Sequence, residues 1–465
     1  MFYEIQPCKK TAVISSDGSR LTYEELAADV KGVGEHLDTR ALVFCLCENS
    51  PASLVGYLAC LNKKAVPLLV DKKIVPELLS DLLDCYHPNY LYVPAEMAAQ
   101  FADYTVQTTY RNYALLKGVH TAAIELHEAL AQLLTTSGST GSQKLVRQSY
   151  TNIQSNAEAI AGYLALTETE RPITTLPMNY TYGLSIINSH LQVGATILMT
   201  DYPMNMKAFW DFFKAEGATS FGGVPFTYEM LKKLRLFKMD LPSLRYMTQA
   251  GGKLAPELHK EFATWCLETG KQFIVMYGQT EATARMGWLP GDKSLEKHGS
   301  MGNAIPGGKF ILIDAAGNEI HTPETVGELI YEGDNVTLGY ATCPEDLAKG
   351  DERGGRLETG DMAKFDADGY YYIVGRKKRF LKIFGNRVNL DEIDALVKRT
   401  FGDMECASTG VDDHMKMYIT RQDLIDDVRR WLSNTTHLSE SAFEVLYIEE
   451  LPKNEAGKIL YKELN

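Results

Sequence analysis

The chain has 465 residues, 45% of them hydrophobic, and a formal net charge of −13. Length and apolar content suffice for large buried cores in roughly two to four domains or subdomains. The acidic balance argues against general nucleic-acid binding but not against a small anion held locally. No apolar run approaches the ~18 residues of a membrane span, and the N-terminus lacks the apolar core and cleavage pattern of a signal peptide. The eight scattered cysteines form no C-x-x-C and have no histidines at metal spacing, so they read as reduced thiols. A cytoplasmic protein is expected.

In chain order, "LTYEELAADVKGVGEHL" places Thr22 and Glu25 at capping-box spacing and Leu26, Val30, Val33 and Leu37 on one helical face. "ALVFCLC" follows as a strand, "SPASLVGYLACLNKK" as a helix and "AVPLLV" as a strand. Short apolar runs continue through "NYLYVP", "PITTLPM", "GATILMT", "ATSFGGV", "SLRYMTQAGG" and "KQFIVMYGQ". Such alternation predicts α/β layers. After residue 300 the texture turns to short strands and turns, as in "GGKFILIDAAGNEI", "VGELIYEG" and "GDMAKFDADGYYYIVG"; the last predicts a hairpin with Asp366 and Asp368 as turn residues. The basic run "GRKKRFLK", Gly375 to Lys382, marks a domain boundary. Beyond it an α-β-β-α-β tail is expected, with helices at "LDEIDALVKRTF" and "DLIDDVRRWL" and paired strands around "CASTGV" and "KMYIT".

Five stretches carry candidate chemistry. "TTSGSTGSQK", Thr135 to Lys144, combines glycines that let the backbone expose N–H groups with hydroxyl donors and one lysine, which suits a polyanion. It is not the nucleotide P-loop, whose lysine follows glycine directly, and an ordinary Ser/Gly connector is the competing reading. "YGQTEAT", Tyr277 to Thr283, offers an aromatic face, a glycine, a hydroxyl and, in Glu281, a carboxylate able to hold Mg²⁺. "ETGD" ends in Asp361, which could accept two bonds from vicinal sugar hydroxyls. "GRKKRFLKIFGNRVNLDEID" supplies Arg376, and "LPKNEAGKILYKEL" supplies Lys458 after a glycine turn. Each stretch alone has a bland alternative: a helix cap, a surface turn, a solvated charged face or a frayed end.

In this order the segments resemble the adenylate-forming (AMP-binding) enzyme superfamily of acyl-CoA synthetases, carrier-protein adenylation domains and luciferases, over nearly the whole chain from "LTYEEL" to "GKILYKEL". The resemblance implies an α/β fold: a large N-terminal domain over 1–375, of layered α/β subdomains plus a small β-rich subdomain, a hinge at 376–379 containing Lys378, and a small mobile α+β C-terminal domain over 380–465. It also implies a two-step ligase in which a carboxylate attacks the α-phosphate of ATP, releasing pyrophosphate, and a thiol then displaces AMP. Carried over by position, Thr136, Ser137, Gly138, Ser139, Thr140 and Lys144 would hold the β- and γ-phosphates. Tyr277, Gly251 and Gly252 would flank adenine, Thr280 would contact the α-phosphate and Glu281 would bind Mg²⁺. Asp361 and Arg376 would hold the ribose, and Lys458 would bridge the substrate carboxylate and the phosphate, where charge builds up. Catalysis would be positioning and charge neutralisation, with no covalent attack by a side chain. Gln143 and Leu145 depart from the family's usual proline and second glycine, and Tyr180 stands where many acyl and aryl ligases have a gating histidine.

Amino-acid-activating relatives usually place an aspartate near "PMNYTYGLS", yet no acidic residue lies between Leu176 and Leu191. An unpaired buried ammonium costs several kcal/mol, so a small non-amino carboxylic acid is expected. Tyr180, Tyr182, Met178 and Met286 line an aryl slot or a medium acyl pocket, or are plain core. Lys377, Lys378, Arg379, Lys382 and Arg387 suit either the phosphates of CoA or the acidic helix of an acyl carrier protein bearing phosphopantetheine. The expected activity is that of an ATP-dependent carboxylic acid:thiol ligase. The alternatives are an amino-acid adenylating enzyme loading a carrier protein, or a non-catalytic nucleotide-binding scaffold.

Overall fold

The computed structural model describes residues 1–119, 124–135, 144–384, 386–402, 404–436, 438–453 and 457–464. These fall into two compact units, one from the described residues of 1–309 and 331–357, the other from those of 310–330 and 358–464. The segment 376–379 lies within the second unit by this division.

The first unit is built on an eight-stranded sheet. Its order is Gly339–Ala341, Leu145–Ser149, Leu130–Thr135, Val66–Asp71, Leu42–Cys47, Tyr90–Pro94, Tyr113–Gly118 and Tyr104–Tyr110. The four central strands run parallel and the outer pairs antiparallel. Every residue of Leu42–Cys47 is buried, as a strand covered on both faces requires, and this is why it reads as a continuous apolar run. The helix Tyr23–Gly34 starts at the Thr22/Glu25 capping box, and the helix Pro51–Lys63 is buried from Pro51 to Leu61. A second sheet has Ser220–Gly223, Tyr246–Gln249 and Gln272–Tyr277 in parallel, followed by two short antiparallel strands, Gly287–Trp288 and Asn303–Ala304.

Two sequence expectations need correction here. "PITTLPM" is not a strand: only Pro172 and Ile173 make isolated bridges, to Ser220 and Leu198. "GATILMT" shortens to Ile197–Met199. The hairpin Tyr104–Tyr110 with Tyr113–Gly118, turning at Arg111 with φ 52°, has no counterpart in the sequence reading.

In the second unit, Lys309–Ile313, Gly327–Glu332, Arg356–Phe365 and Tyr371–Arg376 form a four-stranded sheet that includes a few end residues of the first unit. Its hairpin turns where Asp366 Oδ1 accepts from the N–H groups of Asp368 and Tyr370, at 3.0 and 2.9 Å. The tail follows the expected order: helix Leu390–Phe401, strands Cys406–Val411 and His414–Ile419, helix Ile425–Thr436 and strand Phe443–Tyr447. They close over Ile383, Val397, Met415, Met417, Val428 and Leu432. Two cations of the basic run are paired. Lys377 Nζ bonds Glu328 at 2.6 Å, and Arg379 reaches Asp391 and Asp394, each at 2.7 Å, while stacking on Tyr461 at 3.8 Å. Among the described residues no helix is long and apolar enough to cross a membrane.

Candidate active site

The strand Gln272–Tyr277 delivers the chain into the loop of "YGQTEAT", and the loop's shape is fixed by residues far away in sequence. Gly278 is obligatory, since a Cβ there would lie 1.6 Å from the carbonyl oxygen of Ala284. Thr283 adopts φ 64°, a left-handed conformation uncommon for a β-branched residue. Side chains satisfy the carbonyls such a turn leaves over. Asn335 Nδ2 donates to Ala282 and Arg285 at 2.9 and 2.8 Å, Asn156 Nδ2 to Arg285 at 2.9 Å, Thr181 Oγ1 to Thr283 at 2.6 Å, and Gln148 Nε2 to Thr280 at 3.3 Å.

This scaffold presents Thr280 and Glu281 on one short turn, Thr280–Ala282. Glu281 Oε1 accepts from Tyr340 Oη at 2.6 Å, and its backbone oxygen accepts from Thr337 and from Arg353. The Tyr340 ring lies between two cations, with the Arg353 guanidinium 4.8 Å and Lys144 Nζ 5.4 Å from its centroid. Burial and then the Glu281 charge push the Tyr340 hydroxyl up to about 12, so it stays a donor. One carboxylate, one phenol and two cations thus share a small region of the first unit. No group of three metal-ligating side chains occurs among the described residues.

Close by in the parallel sheet, Gly251 has φ 83°, and a Cβ there would come within 2.7 Å of Tyr180 Oη. The turn is tied by Gln249 Nε2, which donates to the Gly252 oxygen at 2.9 Å. Tyr277 is half-buried, its hydroxyl accepting from Gln279 at 3.3 Å. Tyr182, Met178 and Met286 are all buried, and Tyr182 Oη bonds the Thr248 oxygen at 2.7 Å.

The second unit carries the other candidates. Asp361 and Arg376 face each other in the antiparallel register, with Nε 3.3 Å from Oδ1. Lys458 is exposed and follows Gly457, whose φ is 73°. Lys378 has its backbone in the turn Lys377–Arg379. Thr136, Ser137, Gly138, Ser139 and Thr140 lie outside the described residues.

A family model described as AMP-binding enzyme matches residues 4–341. The chain belongs to the AMP-binding enzyme family. Among curated relatives it is 24% identical to a 3-hydroxybenzoate–CoA ligase of Aromatoleum sp. (strain CIB), over 94% of this chain and 90% of that one. It is 30% identical to a long-chain-fatty-acid–CoA ligase of Salmonella typhimurium over 72% of this chain, and the match spans 61% of that protein's length. In fold it is similar to the O-succinylbenzoate coenzyme A synthetase of Bacillus subtilis solved with AMP, with TM-score 0.80 and 20% identity, over 98% of this chain and 95% of that one.

Sequence reasoning on the family motifs missed Tyr340, Arg353, Asn335 and Asn156. Each lies outside the motif loops, and only its contacts with Glu281 or with the carbonyls around it give it meaning.

A buried histidine behind this region gives the family member a pH dependence. His190 Nδ1 lies 2.7 Å from the Ile186 oxygen and Nε2 lies 3.1 Å from Tyr246 Oη. Burial pushes its pKa down from 6.5 to about 4. Between those values the unfolded chain binds a proton that the folded chain refuses, so this contribution to stability is full above pH 6.5 and falls as the pH drops toward 4. At pH 5 the loss is about 2 kcal/mol. Urea midpoints at pH 7.5 and pH 5 should therefore lie closer together for His190→Gln than for the parent; an unchanged gap would mean that His190 does not titrate in this way.

Proposed function

We propose that the chain is an ATP-dependent carboxylic acid:CoA ligase acting through an acyl-adenylate with release of pyrophosphate and AMP. The observation that carries this reading is the grouping of Glu281, Tyr340, Arg353 and Lys144 beside the loop that presents Thr280. The CoA-ligase names of its relatives support the same chemistry.

In this reading Lys144 and the loop before it hold the outer phosphates, and Thr280 contacts the α-phosphate. Tyr277, Gly251 and Gly252 border adenine, where the bare backbone of two glycines permits close approach. Asp361 takes the ribose hydroxyls beside Arg376, and Lys458 meets the carboxylate and the α-phosphate as negative charge develops. Glu281 Oε1 already accepts from Tyr340, which orients the carboxylate for Mg²⁺; the ion would neutralise phosphate charge. The residues around 376–379 act as the hinge that exchanges the adenylation and thioester steps. CoA is the favoured thiol, a phosphopantetheine carrier the alternative. The absence of an acidic residue between Leu176 and Leu191 supports a non-amino acid substrate. ATP and CoA are cytosolic solutes, which supports a cytoplasmic location.

Acid-dependent ATP–pyrophosphate exchange tests the reading. Glu281→Gln should lower the rate by about 100-fold at limiting Mg²⁺, with partial recovery as Mg²⁺ is raised. Exchange that is unaffected at every Mg²⁺ concentration would place the metal elsewhere.

A further inference from the structure

We propose that the acid this enzyme activates carries a second anionic group, a carboxylate remote from the one that reacts, and that Arg285 binds it. The inference rests on the adenylation reading above. Arg285 is 3% exposed and borders a cavity of about 20 Å³ with Ser189, His190, Gly222, Tyr246 and Thr248. Its Nε is buried and meets no hydrogen-bond partner, and among the described residues no carboxylate forms an ion pair with it. A guanidinium taken out of water without an anion costs several kcal/mol.

What surrounds Arg285 does not supply that anion. Its guanidinium stacks on the Tyr182 ring at 3.8 Å, a cation–π contact that offsets part of that cost without supplying a counter-charge. Tyr163, Tyr180 and Tyr182 stay protonated, since burial is the main influence on each hydroxyl and pushes it up. His190 stays neutral: with Nδ1 donating to the Ile186 oxygen, Nε2 is left to accept from Tyr246. Ser189 Oγ is committed to the Ile186 oxygen. The cavity therefore sets one cation among apolar side chains (Ile160, Leu164, Ile186, Phe221 and Met276), neutral hydroxyls and a neutral imidazole.

The position suits a substrate group. The cavity runs along the face of the parallel strands Ser220–Gly223, Tyr246–Gln249 and Gln272–Tyr277, from Ser220 and Tyr246 at their beginnings to Gly222, Thr248 and Met276 toward their carboxyl ends, where open α/β sheets take ligands. Arg285 itself belongs to the loop that presents Glu281. A cavity of 20 Å³ holds about one water, so it receives one compact polar group while the acid's chain lies outside.

The test is pyrophosphate exchange by the full chain with matched acids: succinate against butanoate, glutarate against pentanoate, and isophthalate against benzoate. In at least one pair the diacid should exceed the monoacid by about 100-fold in kcat/KM, and Arg285→Met should lower that ratio by about 100-fold. Arg285→Lys, which keeps the charge, should retain part of the preference. If Arg285→Met does not fold, the parent ratio and the lysine variant still decide. Exchange confined to monoacids, or equal losses on both members of a pair in Arg285→Met, overturns the inference while leaving the adenylation reading intact. Exchange with no acid at all removes that reading and the inference with it.

Discussion

Lys458→Ala should lower acid-dependent pyrophosphate exchange by about 10²–10³-fold while ATP affinity stays within a few-fold. A lysine that acts on charge formed in the transition state contributes to the rate more than to ground-state binding. Lys458 is exposed, and the backbone around it is tied by the Lys453–Ile459 bridge and by Leu460 N–H donating to the Pro452 oxygen at 2.8 Å. No apolar core is opened, so the stability should not move by more than a few tenths of a kcal/mol. Parallel losses of exchange and of ATP affinity, read from exchange kinetics and equilibrium binding, would assign Lys458 to nucleotide binding instead.

Gly278→Ala should be among the most damaging small substitutions in the first unit. The added methyl would sit 1.6 Å from the Ala284 oxygen, 2.7 Å from its carbonyl carbon and 3.1 Å from Arg285 Cα, all backbone atoms. That backbone has little freedom to yield, because Asn335 and Asn156 hold the carbonyls of Ala282 and Arg285. Relief by loop displacement would move Glu281. We expect a destabilisation of about 3 kcal/mol in urea unfolding and loss of exchange by more than about 100-fold. A variant with parent-like stability and rate would show that the loop is not held as described.

How much is legible in the sequence depends on how local each signal is. Thr22 and Glu25 lie within one helical turn, and the capping box they announce is present. The apolar run of Leu42–Cys47 names a buried strand because both its faces are covered. Asp361 and Arg376, chosen from separate motifs, meet because the hairpin register brings them opposite each other. The run with Pro172 misled: only Pro172 and Ile173 make bridges there, although Pro67 sits within the paired strand Val66–Asp71. Tyr340 and Arg353 were invisible: they gain meaning only by lying against Glu281, about sixty and seventy positions earlier. Arg285 was passed over for a related reason. A lone arginine after a motif suggests surface, and only its 3% exposure marks it as unusual. Arg379 was grouped with the basic residues suited to CoA phosphates or a carrier helix, whereas its guanidinium is bound to Asp391 and Asp394 and stacked on Tyr461.

The amides that hold the loop of Glu281 have a bearing on how the protein is made. Asn335 lies some fifty residues downstream of the carbonyls it binds, and Asn156 well over a hundred upstream. Closing such spans is entropically slow and comes after local structure has formed. A nascent chain that has left the ribosome only as far as residue 330 possesses Glu281 but none of Asn335, Thr337, Tyr340 and Arg353, so its loop lacks the ties these make. The order of synthesis thus delays completion of this region until the segment after 331 joins the sheet through Gly339–Ala341. Until then a chain able to collapse around its central strands is not yet a chain able to present its carboxylate.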